Sequence, residues 1–490
     1  MGILKKIKSF FNKGGDNNMN SNNYLTEATL LALYDEFVMS EKFQWMDIGD
    51  RYYRNKTDIA KRVKYKVENG QYVVDETMPN NKLNFNYTKL IVDQKVNYCL
   101  SKAPKFNCED EEYLNALEDM LKENKFDYYL PLLGTQVSNT GIGWLQPYID
   151  TDGNFKFILV PAKQCIPLWE DDLHMQLRAM IRVYQSLESF NINNPQPVTI
   201  LEYWTSTGMQ KFKVDGTNLV QLNNFDLLTT VDGKFTGESA HYKAGDWLKS
   251  WGKVPFVPFK NNMFETPDIQ DFKSLIDDIE RNKSDVSNGL EELRNRIIIL
   301  ENAGGTEIEE FLSNLRLYGI AKTNNVDGSG SKVDVLNTPL NCEGAMEHTT
   351  SVKTALMEIA QAANTSQEWK VPPAGVTLEL LYRGLDIKCN GFEAQFKFGL
   401  NELQYFFKKY LEDKGQTVSE IATVEFIRDT PQNVNEQIQN IKDSVDSGSL
   451  SKETAIKKNP LVDDPEEEYK KIQYENKEYN FDSVPFKSFK

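Results

Sequence analysis

Residues 268–297 constrain this fold more than any other stretch of the chain. They contain no proline, Gly289 is their only glycine, and Thr266-Pro267-Asp268 opens them as a helix-start signal. Along them run Phe272, Ile276, Ile279, Lys283, Val286, Leu290, Leu293 and Ile297, in alternating steps of four and three with one polar member, Lys283. A helix of that length extends on the order of 40 Å. So narrow a stripe on so long a rod packs against other helices instead of wrapping a core. Neighbouring copies of the chain are therefore expected to meet along Phe272, Ile276, Ile279, Val286, Leu290 and Leu293.

A compact α/β piece follows. RIIIL (296–300) reads as a strand, Gly304-Gly305 as a turn and 306–319 as a helix; IAKT is a strand, DGSGS (327–331) a hairpin turn and KVDVL (332–336) a strand. GSGSK lacks the GxxxxGK[ST] pattern and no helix follows it, so it reads as a turn and not a phosphate loop. Helical spacing returns over 344–363 with Met346, Thr349, Val352, Leu356, Ile359 and Ala363. Two long helices flanking a small tip imply an antiparallel hairpin. Pro372, Pro373 and Gly375 break the pattern within 364–376, and 377–411 resumes it with bends expected at Gly384, Gly391 and Gly399.

Upstream, 1–13 is a short basic amphipathic segment and 14–23 a polar linker. Residues 24–135 read as mostly helical. From 136 to 262 the pattern turns β-rich, with D-T-D-G-N at 150–154 as a hairpin turn. After 411 come a strand (TVEFIRD), helices through 432–459, and a charged end expected to fray.

The charge balance narrows the function. The 490 residues carry 56 Lys and Arg against 72 Asp and Glu, a net −16, which excludes a tight clamp on duplex DNA. Five cysteines (Cys99, Cys108, Cys165, Cys342, Cys389) form no CxxC pair and read as buried free thiols. With only His174, His241 and His348, triads and zinc sites have little to draw on. No apolar run is long enough to span a bilayer, and the N-terminus lacks a signal peptide's apolar core, so cytoplasmic synthesis is expected. Glu170-Asp171-Asp172 with His174, and Asp277, Asp278 and Asp285, read as solvated carboxylates, so neither a metal site nor an enzyme is expected.

Several segments together carry a resemblance. They are KLIVDQKVNYCLSKAPKF (89–106), NTGIGWLQPYIDTDGNFKF (139–157), LEYWT (201–205), WGKVPFVPFKNN (251–262), DIQDFKSLIDDIERNKSDVSNGLEEL (268–293), AGVTLELLYRGLDIKCN (374–390) and SKETAIKKNPLVDDPEEE (451–468). In order and coverage the chain resembles the portal proteins of tailed double-stranded DNA bacteriophages, in the Bacillus-siphophage-type branch. The resemblance implies an α+β, mainly helical subunit with a wing (24–265), a stem helix (266–298), an α/β clip (299–337) and a returning stem helix (338–363). A tunnel loop (364–376), a long bent wing helix (377–411), a crown (412–470) and a C-terminal tail (471–490) complete it.

It further implies a homo-oligomeric ring of twelve subunits at one capsid vertex, assembled in the host cytoplasm. Double-stranded DNA would pass through the ring during packaging and ejection. Its partners would be the terminase, the major capsid and scaffold proteins and a head–tail adaptor, with no cofactor and no membrane. On this reading Asn364, Gln367, Trp369 and Lys370 of the loop, with Arg281 and Lys283 of the stem, face the DNA channel; Arg294 and Arg296 are further candidates. Glu309, Glu310 and Arg316 of the clip would dock partners. Two other readings stay open: a metal-dependent DNA-processing enzyme using the helix carboxylates, and a membrane-associated ring using the N-terminal segment.

Overall fold

The computed structural model describes residues 25–76, 78–186, 197–222, 228–231, 234–244, 247–292, 297–301, 307, 309, 313, 332–336, 342–364, 375–428, 434–462 and 464–481. In chain order the elements begin with α1 (Glu27–Met39), α2 (Glu41–Tyr53), β1 (Tyr65–Glu68), β2 (Gln71–Val74), α3 (Tyr87–Leu100), β3 (Lys105–Asn107), α4 (Glu111–Glu123) and α5 (Phe126–Thr140). The β-rich stretch holds β4 (Ile142–Ile149), β5 (Phe155–Val160), β6 (Cys165–Trp169), β7 (Leu177–Ser186), β8 (Val198–Trp204), β9 (Met209–Asp215), β10 (Asn218–Leu222), β11 (Leu228–Val231), β12 (Lys234–Ser239), β13 (Tyr242–Ala244), β14 (Trp247–Lys249) and β15 (Val257–Lys260). Then come α6 (Ile269–Glu292), β16 (Ile297–Glu301), β17 (Lys332–Leu336), α7 (Cys342–Ile359), α8 (Gly375–Asp413), β18 (Thr423–Glu425), α9 (Val434–Asp446), α10 (Lys452–Lys458) and α11 (Pro465–Phe481).

The chain divides into two compact units. The first draws on Met1–Met46, Trp144–Pro258 and Leu403–Val418. Its framework is an antiparallel sheet ordered β11-β12-β9-β8-β7-β6, with β10 paired to β9. The hairpin joining β4 to β5 turns on Asp150, whose carboxylate accepts from the backbone N–H of Asp152 and Asn154, as D-T-D-G-N suggested. Aromatic packing centres on Trp251, which is 1% exposed. Its indole lies 4.3 Å from the Tyr242 ring and meets Phe155 and Phe406 edge-on. The polar groups beside the cluster are satisfied: Tyr405 donates its hydroxyl to the Trp251 carbonyl at 3.1 Å, Tyr242 donates its own to Asp413, and the Trp251 backbone N–H donates to His241 Nδ1 at 3.1 Å.

The second unit draws on Asp47–Gly143, Phe259–Glu402 and Ser419–Lys490. It buries one face each of α3, α5, α6 and α8 through residues such as Ile91, Leu133, Phe272, Ile276, Phe392 and Phe396. Side-chain caps start its helices: Asn86 accepts from Lys89 N–H to open α3, and Asp110 accepts from Tyr113 N–H to open α4. Glycine is obligatory at two close approaches. A Cβ on Gly49 would sit 1.9 Å from the Asn139 carbonyl oxygen, and one on Gly141, at φ +80°, would sit 2.1 Å from that of Glu265.

Helix α6 pairs with α7 in antiparallel order. Asp278 meets His348 at 2.9 Å, and one turn on Asn282 donates to the Ala345 carbonyl at 3.4 Å as well as to Thr349 Oγ1 at 3.2 Å. Strands β16 and β17 pair antiparallel from Ile297↔Leu336 to Glu301↔Lys332, as the strand reading of RIIIL and KVDVL required. Glu309 and Ser313 are helical; the remainder of the tip, including IAKT and DGSGS, lies outside the described residues.

Three expectations need correction. The long helix is described over Ile269–Glu292 and Ile297 belongs to a strand, so the heptad pattern does not run to Ile297 on one helix. The charged end is helical as far as Phe481. Cys99 and Cys389 are not free thiols: they join α3 to α8 in a disulfide across 290 residues of sequence, leaving Cys165 buried and Cys108 and Cys342 half-buried. No short-range cysteine spacing could have signalled a bridge that long.

Closing so long a loop restricts the unfolded chain, so the bridge is expected to add about 2–4 kcal/mol. The double variant Cys99→Ala, Cys389→Ala should show that loss in urea denaturation. Reductant should lower the wild type toward the variant and leave the variant unmoved.

Candidate functional site

The expected site rests on α6, and three features of the second unit position that helix. The first is a buried charge centre at its N-terminus. Asp268 precedes α6 and is 5% exposed; its carboxylate accepts from Lys95 Nζ at 2.5 Å and Asn261 Nδ2 at 2.9 Å, and lies 3.4 Å from Lys388 Nζ. Lys95, 1% exposed, also donates to Asn261 Oδ1 at 2.8 Å and sits over the Phe392 ring. Burial pushes the Lys95 ammonium down to about 8 although Asp268 opposes the shift. Burial alone would raise the Asp268 carboxyl, but Lys388 and Lys95 outweigh it and hold the group well below the carboxylate range.

The second feature is a polar ladder. Glu280, Ser284 and Asn288, all buried, follow one another by single helical turns on α6. Glu280 accepts from Phe85 N–H at 2.8 Å, Ser284 from Leu83 N–H at 2.9 Å and Asn288 from Asn81 N–H at 2.7 Å. Four helical residues rise about 6 Å and two extended residues about 6.6 Å, so the extended segment 81–85 stays in step with the helix, running opposite to it. Each rung satisfies a backbone donor that has no sheet partner. Burial raises the Glu280 carboxyl above its ordinary range.

The third is a charged flank. Lys273 bridges Asp58 at 2.7 Å and Asp277 at 2.6 Å, and Tyr52 donates its hydroxyl to Asp277. Burial opposes ionisation of Asp58, yet the Lys273 hydrogen bond and charge bring it down to about 2. Arg62 pairs with Asp285. Beside this network a cavity of about 210 Å³ is lined by Asp58, Ile59, Arg62, Asp277 and Arg281.

These contacts relocate several expected residues. Phe272, Ile276 and Ile279 are 0–1% exposed within their own chain, so they are core and not a seam awaiting a neighbour. They lose that role because their side chains are already covered within the subunit, after which the buried positions of α6 turn polar. Val286 is half-buried, Leu290 is 50% exposed, and the Leu293 side chain lies outside the described residues. Arg281 is exposed beside the cavity and Lys283 is half-buried. Asn364 is half-buried; Gln367, Trp369, Lys370, Glu310, Arg316, Arg294 and Arg296 lie outside the described residues, and Glu309 is exposed.

The helix carboxylates already have partners: Asp277 the Lys273 ammonium and the Tyr52 hydroxyl, Asp278 the His348 imidazole, and Asp285 the Arg62 guanidinium. Among the described residues no three His, Cys, Asp or Glu side chains converge so as to hold a metal ion, and no helix is long and apolar enough to cross a membrane. Asp171 instead closes the β6–β7 turn, accepting from the N–H groups of Leu173, Met175 and Gln176, while His174 stacks on Trp169.

Sequence reasoning missed Lys95 and Lys388. The available signal was a lysine at a core position, Lys95 between Ile91, Val92 and Cys99, and Lys388 beside Leu385, Cys389 and Phe392.

Helices α6 and α7 are paired along their length, the β16–β17 strand pair lies between them in the chain, and the sequence carries a net charge of −16. The phage portal protein family described as SPP1 Gp6-like matches residues 39–481, and the chain belongs to that family. It is 30% identical over 440 residues to the portal protein of Bacillus phage SPP1, covering 88% of this chain and 83% of that protein. It is 27% identical over 443 residues to the portal protein of Clostridium phage phiCD119, covering 86% and 92% respectively.

Asp268→Asn should cost on the order of 3–5 kcal/mol in urea denaturation, because it strands the Lys95 ammonium in the core. The wild type should lose the carboxylate's contribution as pH falls below the unfolded carboxyl range toward its depressed folded value; the variant should lack that acid limb. On the ladder, Glu280→Ala removes the acceptor of Phe85 N–H and should cost about 1–3 kcal/mol, with Glu280→Gln retaining most of it. Since the folded state holds the Glu280 proton more tightly than the unfolded chain does, this residue's contribution should weaken as pH rises through the carboxyl range. Glu280→Gln should remove that slope.

Proposed function

We propose that this chain assembles with copies of itself into a closed ring of twelve at one capsid vertex. Through the ring the double-stranded genome enters during packaging and leaves at ejection. The single observation that supports this most is the family match across 39–481, because it spans the paired helices, the tip and the long α8 together. In this reading α6 and α7 are the stem, 299–337 with Glu309, Glu310 and Arg316 is the clip that docks the terminase and later a head–tail adaptor, and 412–470 is the crown. Major capsid and scaffold proteins surround the ring, which is built in the host cytoplasm and retained in the virion. The neighbour contacts of the stem fall to Val286, Leu290 and Leu293.

The channel reading assigns 364–376 as a loop touching DNA, with Asn364, Gln367, Trp369 and Lys370 near the duplex and Arg281 and Lys283 as sparse cations on the stem. A net charge of −16 suits such a conduit. Every phosphate neutralised adds salt-sensitive affinity, so a wall with few cations lets duplex slide where a basic one would hold it.

Native mass spectrometry of the purified chain should show a closed oligomer of twelve; a monomer or dimer under every salt condition refutes the ring. Lys370→Glu should leave that oligomer intact and lower the DNA packaged or retained per particle. Unchanged packaging would remove Lys370 from the channel.

A further inference from the structure

The β1–β2 hairpin is amphipathic, and its apolar face is uncovered. Asn69 and Gly70, at φ +52° and +79°, form the two-residue turn that suits the strands' twist. The register pairs Tyr65 with Val74 and Val67 with Tyr72 on one face, and Lys66 with Val73 and Glu68 with Gln71 on the other. Lys66 and Glu68 close an ion pair at 2.6 Å on the second face, which is how a solvated face is furnished. On the first face Tyr65 is 60% exposed, Val67 64%, Tyr72 82% and Val74 50%. An isolated two-stranded hairpin is marginal in water, and one showing its apolar side is more so.

We infer that this face docks onto a second copy of the chain, an inference that rests on the ring proposed above. The area argues for that occupant. At roughly 200 Å² apiece the two tyrosines leave about 280 Å² uncovered. With the valines the patch reaches about half of the roughly 800 Å² that each side of a stable interface needs. It is too small to hold a separate partner by itself and large enough to serve as one of several contacts between copies already joined elsewhere. Every copy carries the same hairpin, and a head-to-tail contact repeated around a closed ring satisfies all of them at once.

The double variant Tyr65→Lys, Tyr72→Lys changes only exposed side chains, so its circular dichroism and thermal midpoint as a monomer should match the wild type. Its half-assembly concentration should rise at least tenfold. A variant that assembles as the wild-type ring does overturns the docking alone; a wild type that stays monomeric overturns the ring and the docking with it. A benzophenone amino acid at position 72 supplies the second measurement, using rings assembled from isotopically heavy and light chains. Heavy–light cross-links support the docking. Cross-links confined to one copy, or reaching only another virion protein, overturn it.

Discussion

The carboxylate of Asp268 meets the ammonium of Lys95 at 2.5 Å, with Lys388 at 3.4 Å, where 1% and 5% of Lys95 and Asp268 remain exposed. Desolvating such charges is costly, and their attraction offsets the cost only when geometry and further hydrogen bonds are right. Here Asn261 bonds both partners and the Phe392 ring faces the ammonium. The centre therefore fixes α3, α8 and the start of α6 in one arrangement, since a shift of any of them strands a buried charge. Cys99 lies one turn beyond Lys95 on α3 and Cys389 directly follows Lys388 on α8, so a covalent link and an electrostatic one constrain the same contact.

From that fixed start, α6 is guided by a different kind of interaction. Its first buried turns are apolar, through Phe272, Ile276 and Ile279, and its later ones are Glu280, Ser284 and Asn288. An apolar stripe would tolerate sliding. Three side-chain acceptors matched to alternate backbone donors of 81–85 do not, because a slip of one residue unpairs all three. The helix on which the stem reading depends is thus held in register by hydrogen bonds where its heptad pattern suggested hydrophobic contact.

Much of the architecture was legible. Long-range periodicity marks α6, α7 and α8, turn chemistry marks the β4–β5 hairpin, and β16 and β17 fall where RIIIL and KVDVL stand. The portal resemblance, read from the order of segments across the chain, agrees with the family that matches residues 39–481. What was not legible shares one property: it depends on residues far apart in sequence. The disulfide spans 290 residues, and the charge centre joins positions 95, 261, 268 and 388. Nor can a heptad stripe say whether its own chain or a neighbour covers it, since the pattern records only that something does.

The sequence by itself determined the long helices α6, α7 and α8, the strands β16 and β17 and the net charge of −16, because those follow from local dihedral preference and summed charge. Only the tertiary structure decided that Phe272, Ile276 and Ile279 belong to the subunit's core while the tyrosine face of β1–β2 stays bare. Burial is a property of what surrounds a side chain in space, and residues hundreds of positions away supply or withhold that cover.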